Sequence, residues 1–288
     1  MPGAELTDPR SARVRALRQL TRRRHRSEQR QFLVEGANAV GEGLGAHLHG
    51  RAHVRELIAT ATAIEREPEL VSRAVAGDIA VTVASSSVLA ALSDTVTPQG
   101  LVAVVDYLDA TLDAVLSRSP TLIAVLADVR DPGNAGSAIR VADAAGADAV
   151  VLAGDSVDLY NGKVVRASVG GLFHLPIVTG VSAAQGVDRA RQAGMQVLVA
   201  DASGPADLDS SAVLAQLPHA TAWIFGNEAW GVPAEVSELA DAAVRVPIYG
   251  GAESLNLATA VALCLYASAR AQRSSPESQV HTAPAVQT

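Results

Sequence analysis

Two rhythms alternate along this chain. Nearly continuous apolar runs, such as "TLIAVLADV" (121–129), "AVVLAG" (149–154), "QVLVAD" (196–201) and "TAWIFG" (221–226), are separated by stretches with helical spacing. Runs of the first kind predict strands buried on both faces, and the intervening stretches predict the helices that cover them. The order "TLIAVLADV", "AIRVADAAGA" (helix), "AVVLAG", "HLPIVTG", "VDRARQAG" (helix), "QVLVAD", "TAWIFG", "PAEVSELA" (helix), "AVRVPI" (strand) predicts a parallel α/β sheet. A last helix starts near Leu257, with Ala258, Val261, Ala262, Leu265 and Ala269 on its apolar face. Upstream, "QFLVEG" leads into a helix from Ala37, "VRELIAT" and "AVTVAS" read as strands, "SVLAALSD" as a helix, and "GLVAVVDY" closes a smaller α/β unit.

These patterns divide the chain into an arm (1–30), a small α/β domain (31–106), a linker or connecting helix (107–119), a larger α/β domain (120–272) and a polar, disordered tail (273–288). At 288 residues with 49% hydrophobic content, two real cores are affordable, and no apolar run has the length of a membrane span. The polar N-terminus lacks the apolar segment of a secretory signal, so a soluble cytoplasmic protein is expected. One cysteine, Cys264, excludes an internal disulfide, and the seven histidines show no ligand spacing, so no metal is expected.

Charge changes the picture locally. The formal net charge is −7, yet nine arginines and one acidic residue lie between Arg10 and Arg30, including Arg22, Arg23, Arg24 and Arg26. Such a stripe is either a footprint for RNA phosphates, which are met locally, or a solvated helix face or arm.

Three loops follow strands of the larger domain, at the sheet edge where ligands gather. "DVRDPGNAGSAIR" holds Asn134 and Gly136 at a helix start, with Arg140 six residues after Asn134. "FGNEAWGVP" sets Glu228 between Gly226 and Gly231, where one glycine permits close backbone approach and the other a tight turn. "GGAESLNLATAV" puts Ser254 and Asn256 at the entrance of the last helix, where capping is the ordinary role. Each loop alone reads as a βα turn; three together read as one site. No dinucleotide fingerprint and no P-loop is present.

In order, these loops resemble the three motifs of the SpoU (TrmH-like) branch of the SPOUT RNA methyltransferases: Asn134-x-Gly136 with Arg140; Gly226-x-Glu228-x-x-Gly231; and Pro247 followed by Ser254-Leu255-Asn256. "VVRASVGGLFHLPI" and "LSDTVTPQGLVAVV" are also similar to that family. The resemblance implies a SPOUT parallel sheet with a deep trefoil knot, S-adenosyl-L-methionine as cofactor, a homodimer with shared sites, and an L30e-like N-terminal domain for structured RNA. It further implies that Gly226, Val246, Ile248 and Leu255 cradle the cofactor. Asn134, Glu228, Ser254 and Asn256 would organise the reacting groups, and Arg166 would contact RNA. Asn227 stands where many relatives have a small residue, a departure not expected to abolish activity. The implied reaction is methyl transfer to a ribose 2′-hydroxyl, in ribosomal RNA rather than tRNA. Arg140 would serve as base or as electrostatic stabiliser, since a guanidinium gives up its proton only at high cost. A non-catalytic RNA-binding protein and a small-molecule enzyme are the competing classes.

Overall fold

The computed structural model describes residues 5–274 apart from positions 94 and 96. Of the polar tail assigned to 273–288, only Arg273 and Ser274 are described, and they close the last helix, Leu257–Ser274. The chain forms two compact units. The first takes the chain up to Leu108 together with Asp158–His174; the second takes Asp109–Val157 and the chain from Leu175 onward.

The first unit contains β1 (Gln31–Glu35), β2 (Val54–Ala59), β3 (Ala80–Val83) and β4 (Leu101–Asp106), ordered β1-β4-β2-β3. β4 runs antiparallel to both β1 and β2, whereas β2 and β3 are parallel. The sequence boundary at residue 30 is not a structural one. Ser11 caps the helix Ala12–Gln19, and Val14 and Leu20 are buried against Ile58, Val88, Leu89 and Val102. The arginines of this segment surround an apolar stripe that belongs to the domain core.

The segment Asp158–His174 lies inside the stretch that the sequence assigns to the larger domain, yet it packs as part of the first unit. Its aromatic residues supply the reason. Tyr160 stacks on Tyr107 with centroids 3.7 Å apart and lies 4.6 Å from Phe32, while Phe173 lies 6.4 Å from Phe32. Long-range apolar contacts of this kind leave no local period in the sequence.

The second unit is built on β5 (Leu122–Ala127), β6 (Ala149–Ala153), β7 (Ile177–Thr179), β8 (Gln196–Ala200), β9 (Ala206–Asp207), β10 (Thr221–Phe225) and β11 (Ala242–Arg245). They form one seven-stranded sheet, order β7-β6-β5-β10-β8-β11-β9, in which every pair is parallel. β5, β6 and β10 are buried at every position, as strands covered on both faces must be. The connecting stretch 107–119 contains the helix Leu112–Leu116, whose Leu112 and Val115 enter this core. Among the described residues no helix is long and apolar enough to cross a membrane.

Candidate active site

The carboxyl ends of β8, β10 and β11 open into a cavity of about 550 Å³ within the second unit. That volume is in the range of small-molecule sites, as is its mixed lining. Phe225, Val232, Val244, Val246, Ile248, Leu255 and Leu257 give it apolar walls, and Asn134, Glu228, Ser254 and Asn256 give it polar groups.

The first polar group enters from the helix Pro132–Ala145. Asp131 is the N-cap and accepts from the Asn134 N–H at 2.7 Å, with Pro132 in the first turn. Asn134 is therefore not the cap that its position in a βα turn suggests, and its side chain is free to bridge two other loops. Its Nδ2 donates to Glu228 Oε1, and its Oδ1 accepts from Asn256 Nδ2 at 2.9 Å. Asn256 also caps the last helix, its Oδ1 accepting from the Ala258 N–H at 2.9 Å. Capping and site organisation thus fall on one residue. Ser254 lines the cavity two residues earlier.

The second loop is a tight turn. Asn227 and Gly231 exchange backbone hydrogen bonds of 3.0 and 2.8 Å, and Gly231 takes a left-handed φ of 72°. The turn folds back on Gly226, where an added Cβ would collide with the backbone of Gly231 and Val232. Gly226 is thus required by the loop's own backbone. Asn227, 6% exposed, locks the arrangement: Nδ2 donates to the Asp128 carbonyl at 2.7 Å, and Oδ1 accepts from the Ala229 N–H at 2.8 Å. Asp128 itself sits at a left-handed φ of 54°. The residue read as a mere departure from the family pattern is the tie between the loops after β5 and β10.

The cavity therefore brings together Asn134, Gly226, Glu228, Val246, Ile248, Ser254, Leu255 and Asn256. It also includes Ala200 at the end of β8 and Asp201 and Ala202 from the loop after it, which the sequence reading missed. An aspartate directly after the apolar run Val197–Ala200 was the available signal. Arg140 is not among the lining residues; it is exposed on the Pro132–Ala145 helix. Six residues from Asn134 carry it about 9 Å along the axis and about 120° around it, onto another face.

The remaining predicted residues belong to the first unit. Arg22, Arg23 and Arg24 are exposed, Arg24 paired with Glu28 at 2.8 Å. Arg26 corrects the sequence reading. It is 4% exposed, and its guanidinium donates to Asp158 Oδ2 at 3.2 and 2.5 Å and to the carbonyls of Leu20 and Thr21. A guanidinium so buried, with its donors spent on Asp158 and two carbonyls, is not offered to RNA phosphates. Arg166 lies 3.5 Å from Glu35, which also accepts from Ser93 and Thr95. Among the described residues no group of three or more His, Cys, Asp or Glu could hold a metal ion.

The family model described as the SpoU rRNA Methylase family matches residues 121–266, and an MRM3-like substrate binding domain matches residues 11–103. The chain belongs to the SpoU rRNA methylase family. It is 33% identical to the 23S rRNA (guanosine(2553)-2′-O)-methyltransferase RlmP of Bacillus subtilis, over 91% of this chain and 98% of that protein. Its fold is similar to an AdoMet-bound rRNA methyltransferase from Sinorhizobium meliloti, with TM-score 0.77 and 28% identity, covering 92% of this chain and 97% of that one. It is equally similar to the SpoU methyltransferase AviRb of Streptomyces viridochromogenes in complex with AdoMet, with TM-score 0.77 and 30% identity, covering 92% of this chain and all of the other. The substrate-binding match begins at Ser11, so it includes the arginine-rich helices that pack into the first unit.

Proposed function

We infer that this SpoU methylase transfers a methyl group from S-adenosyl-L-methionine to a ribose 2′-hydroxyl of ribosomal RNA. The observation that carries the reading is the bridge at Asn134, which joins Glu228 and Asn256 so that three separated segments enclose one cavity. The residues fit the cofactor: the apolar walls suit an adenine ring, and the Asn134–Glu228 rim offers acceptors for an ammonium and donors for a carboxylate. When bound, S-adenosylmethionine supplies an electrophilic methyl group on a sulfonium whose leaving sulfide is neutral.

The chain's own task is then alignment and charge. Gly226, Val246, Ile248 and Leu255 hold the cofactor; Asn134, Glu228, Ser254 and Asn256 position the ribose, since fixing reactants within about 3–3.5 Å supplies much of such a rate. Arg140 stabilises the developing 2′-oxyanion while phosphate or water takes the proton. It does so in a partner's cavity, because its own chain turns it away. The homodimer this requires is supported by Leu263 and Tyr266, each 42% exposed on the last helix, which packs against the helix carrying Arg140. The proposal includes the knotted path of the family's sheets.

RNA meets the first unit through Arg22, Arg23 and Arg24, and through Arg166, which is partly exposed beside its ion-pair partner Glu35. Arg26 plays no part in that contact. Ribosomal RNA is favoured because the relatives above are named for it, and the cytoplasm, where that RNA is, is the place of action. The test is transfer of labelled methyl from S-adenosylmethionine to 23S rRNA by the wild-type chain. Label in a single ribose, with Asn134→Ala reducing turnover at least tenfold, is expected. Binding of RNA without cofactor binding or label would leave a non-catalytic RNA-binding protein.

A further inference from the structure

The chain is poor in aromatic residues, with two Trp, four Tyr and three Phe, and most of them are buried. Trp230 is not: it is 54% exposed. It is carried on the turn between Glu228 and Gly231, both of which line the cavity, although Trp230 itself is not a lining residue. Burial cannot be the reason for a tryptophan in that place. Nor is it carried on a loose loop, because the Asn227–Gly231 backbone bonds and the buried Asn227 side chain fix the turn below it. The guanidinium of Arg130, from the loop after β5, lies over the ring at 5.0 Å from its centroid. Arg130 has an exposed Asp155 carboxylate 3.7 Å away, a solvent-screened contact that leaves its charge available to a strand of phosphates.

A-form RNA shows its 2′-hydroxyls along the minor groove, but singling out one ribose and seating it in a cavity favours a single-stranded loop whose bases can be splayed out. The unstacked base then needs a new apolar face, and proteins that read splayed RNA supply it with aromatic rings and guanidinium planes. We propose that Trp230, backed by Arg130, is a stacking platform for an unstacked nucleobase of the RNA strand that presents its ribose to the cavity. This rests on the methyl-transfer reading above and adds a residue pair outside the three motif positions. Stacking accepts any base, so the platform contributes affinity and placement while base identity is read elsewhere.

The two tryptophans make the test direct. Trp223 is fully buried and donates its indole N–H to Ser268 at 2.9 Å, so RNA-dependent changes in emission belong to Trp230. Titrating the full-length protein with a 23S rRNA fragment should quench this emission; Trp230→Phe, which keeps an aromatic face, should lose the signal and raise the KM for RNA less than Trp230→Ala does. Trp230→Ala should raise the KM for RNA about five- to hundredfold, with S-adenosylmethionine affinity within twofold of wild type. An unchanged KM overturns the proposal. So does a loss of cofactor affinity, which would place the ring against the cofactor, or a shift to monomer, which would place it in a subunit interface. Because quenching requires binding and not turnover, a chain that quenches with RNA but transfers no methyl would sink the reaction and leave the platform standing.

Discussion

Asn227→Ala should loosen the site more than any motif residue's exposure would suggest. The side chain is 6% exposed and makes two hydrogen bonds, to the Asp128 carbonyl at 2.7 Å and from the Ala229 N–H at 2.8 Å. Each contributes about 1 kcal/mol net, and leaving a half-buried carbonyl without its donor adds to the cost. The expected loss is about 2–3 kcal/mol. Both tryptophans lie in the second unit, so their emission during urea unfolding follows that unit by itself. With a slope of about 2 kcal/mol/M, the midpoint should fall by roughly 1–1.5 M. Asn227→Asp sharpens the test. Its carboxylate would face the Asp128 carbonyl, and only the protonated acid can donate the bond the amide made, so the folded-state pKa rises above the unfolded value of about 3.9. The variant should therefore match wild type most closely below that value and lose stability as pH rises through the folded pKa. A midpoint within about 0.2 M of wild type for Asn227→Ala, or a deficit in Asn227→Asp that does not change between pH 4 and 8, would refute the anchoring role.

Two further outcomes follow from titratable groups. Burial alone would raise the Asp106 carboxyl, but hydrogen bonds from Arg55, His53 and Gln31, with the Arg55 charge, outweigh it and hold the group below its ordinary value. Stability from this cluster is present above the unfolded pKa of about 3.9 and is lost as pH falls through the folded value; circular dichroism of an acid titration should show a shallower loss in Asp106→Asn, and identical profiles would count against the cluster. Burial pushes the Cys264 thiol up to about 12, so an aromatic disulfide reagent at pH 8 should leave the folded protein unmodified and react once urea unfolds it. Stoichiometric labelling of the folded chain would show that the last helix is less well packed than described.

What the sequence made legible is what local pattern encodes. β5, β6, β8 and β10 stand out as apolar runs because strands covered on both faces need apolar residues at nearly every position. The motif loops could be found for a related reason: Gly226 and Gly231 are dictated by a turn closing on itself, and Asn256 by a helix start. Arg26 was misread because its neighbours in sequence are arginines, whereas its role is set by Asp158, 132 residues away. The excursion of Asp158–His174 into the first unit failed to show for the same reason, since Tyr160 and Phe173 carry no mark of the aromatic residues they meet. Asn227 escaped because a polar residue in a turn normally faces water, and this one is buried.

Alkaline digestion of RNA labelled by the protein is the most direct measurement of the central claim. A methyl on the 2′-oxygen blocks that oxygen's attack on the adjacent phosphodiester, so label placed there survives in a dinucleotide. The account predicts that the label from S-adenosylmethionine is recovered in one such alkali-resistant dinucleotide. Recovery in a mononucleotide, with the methyl on a base, would contradict it.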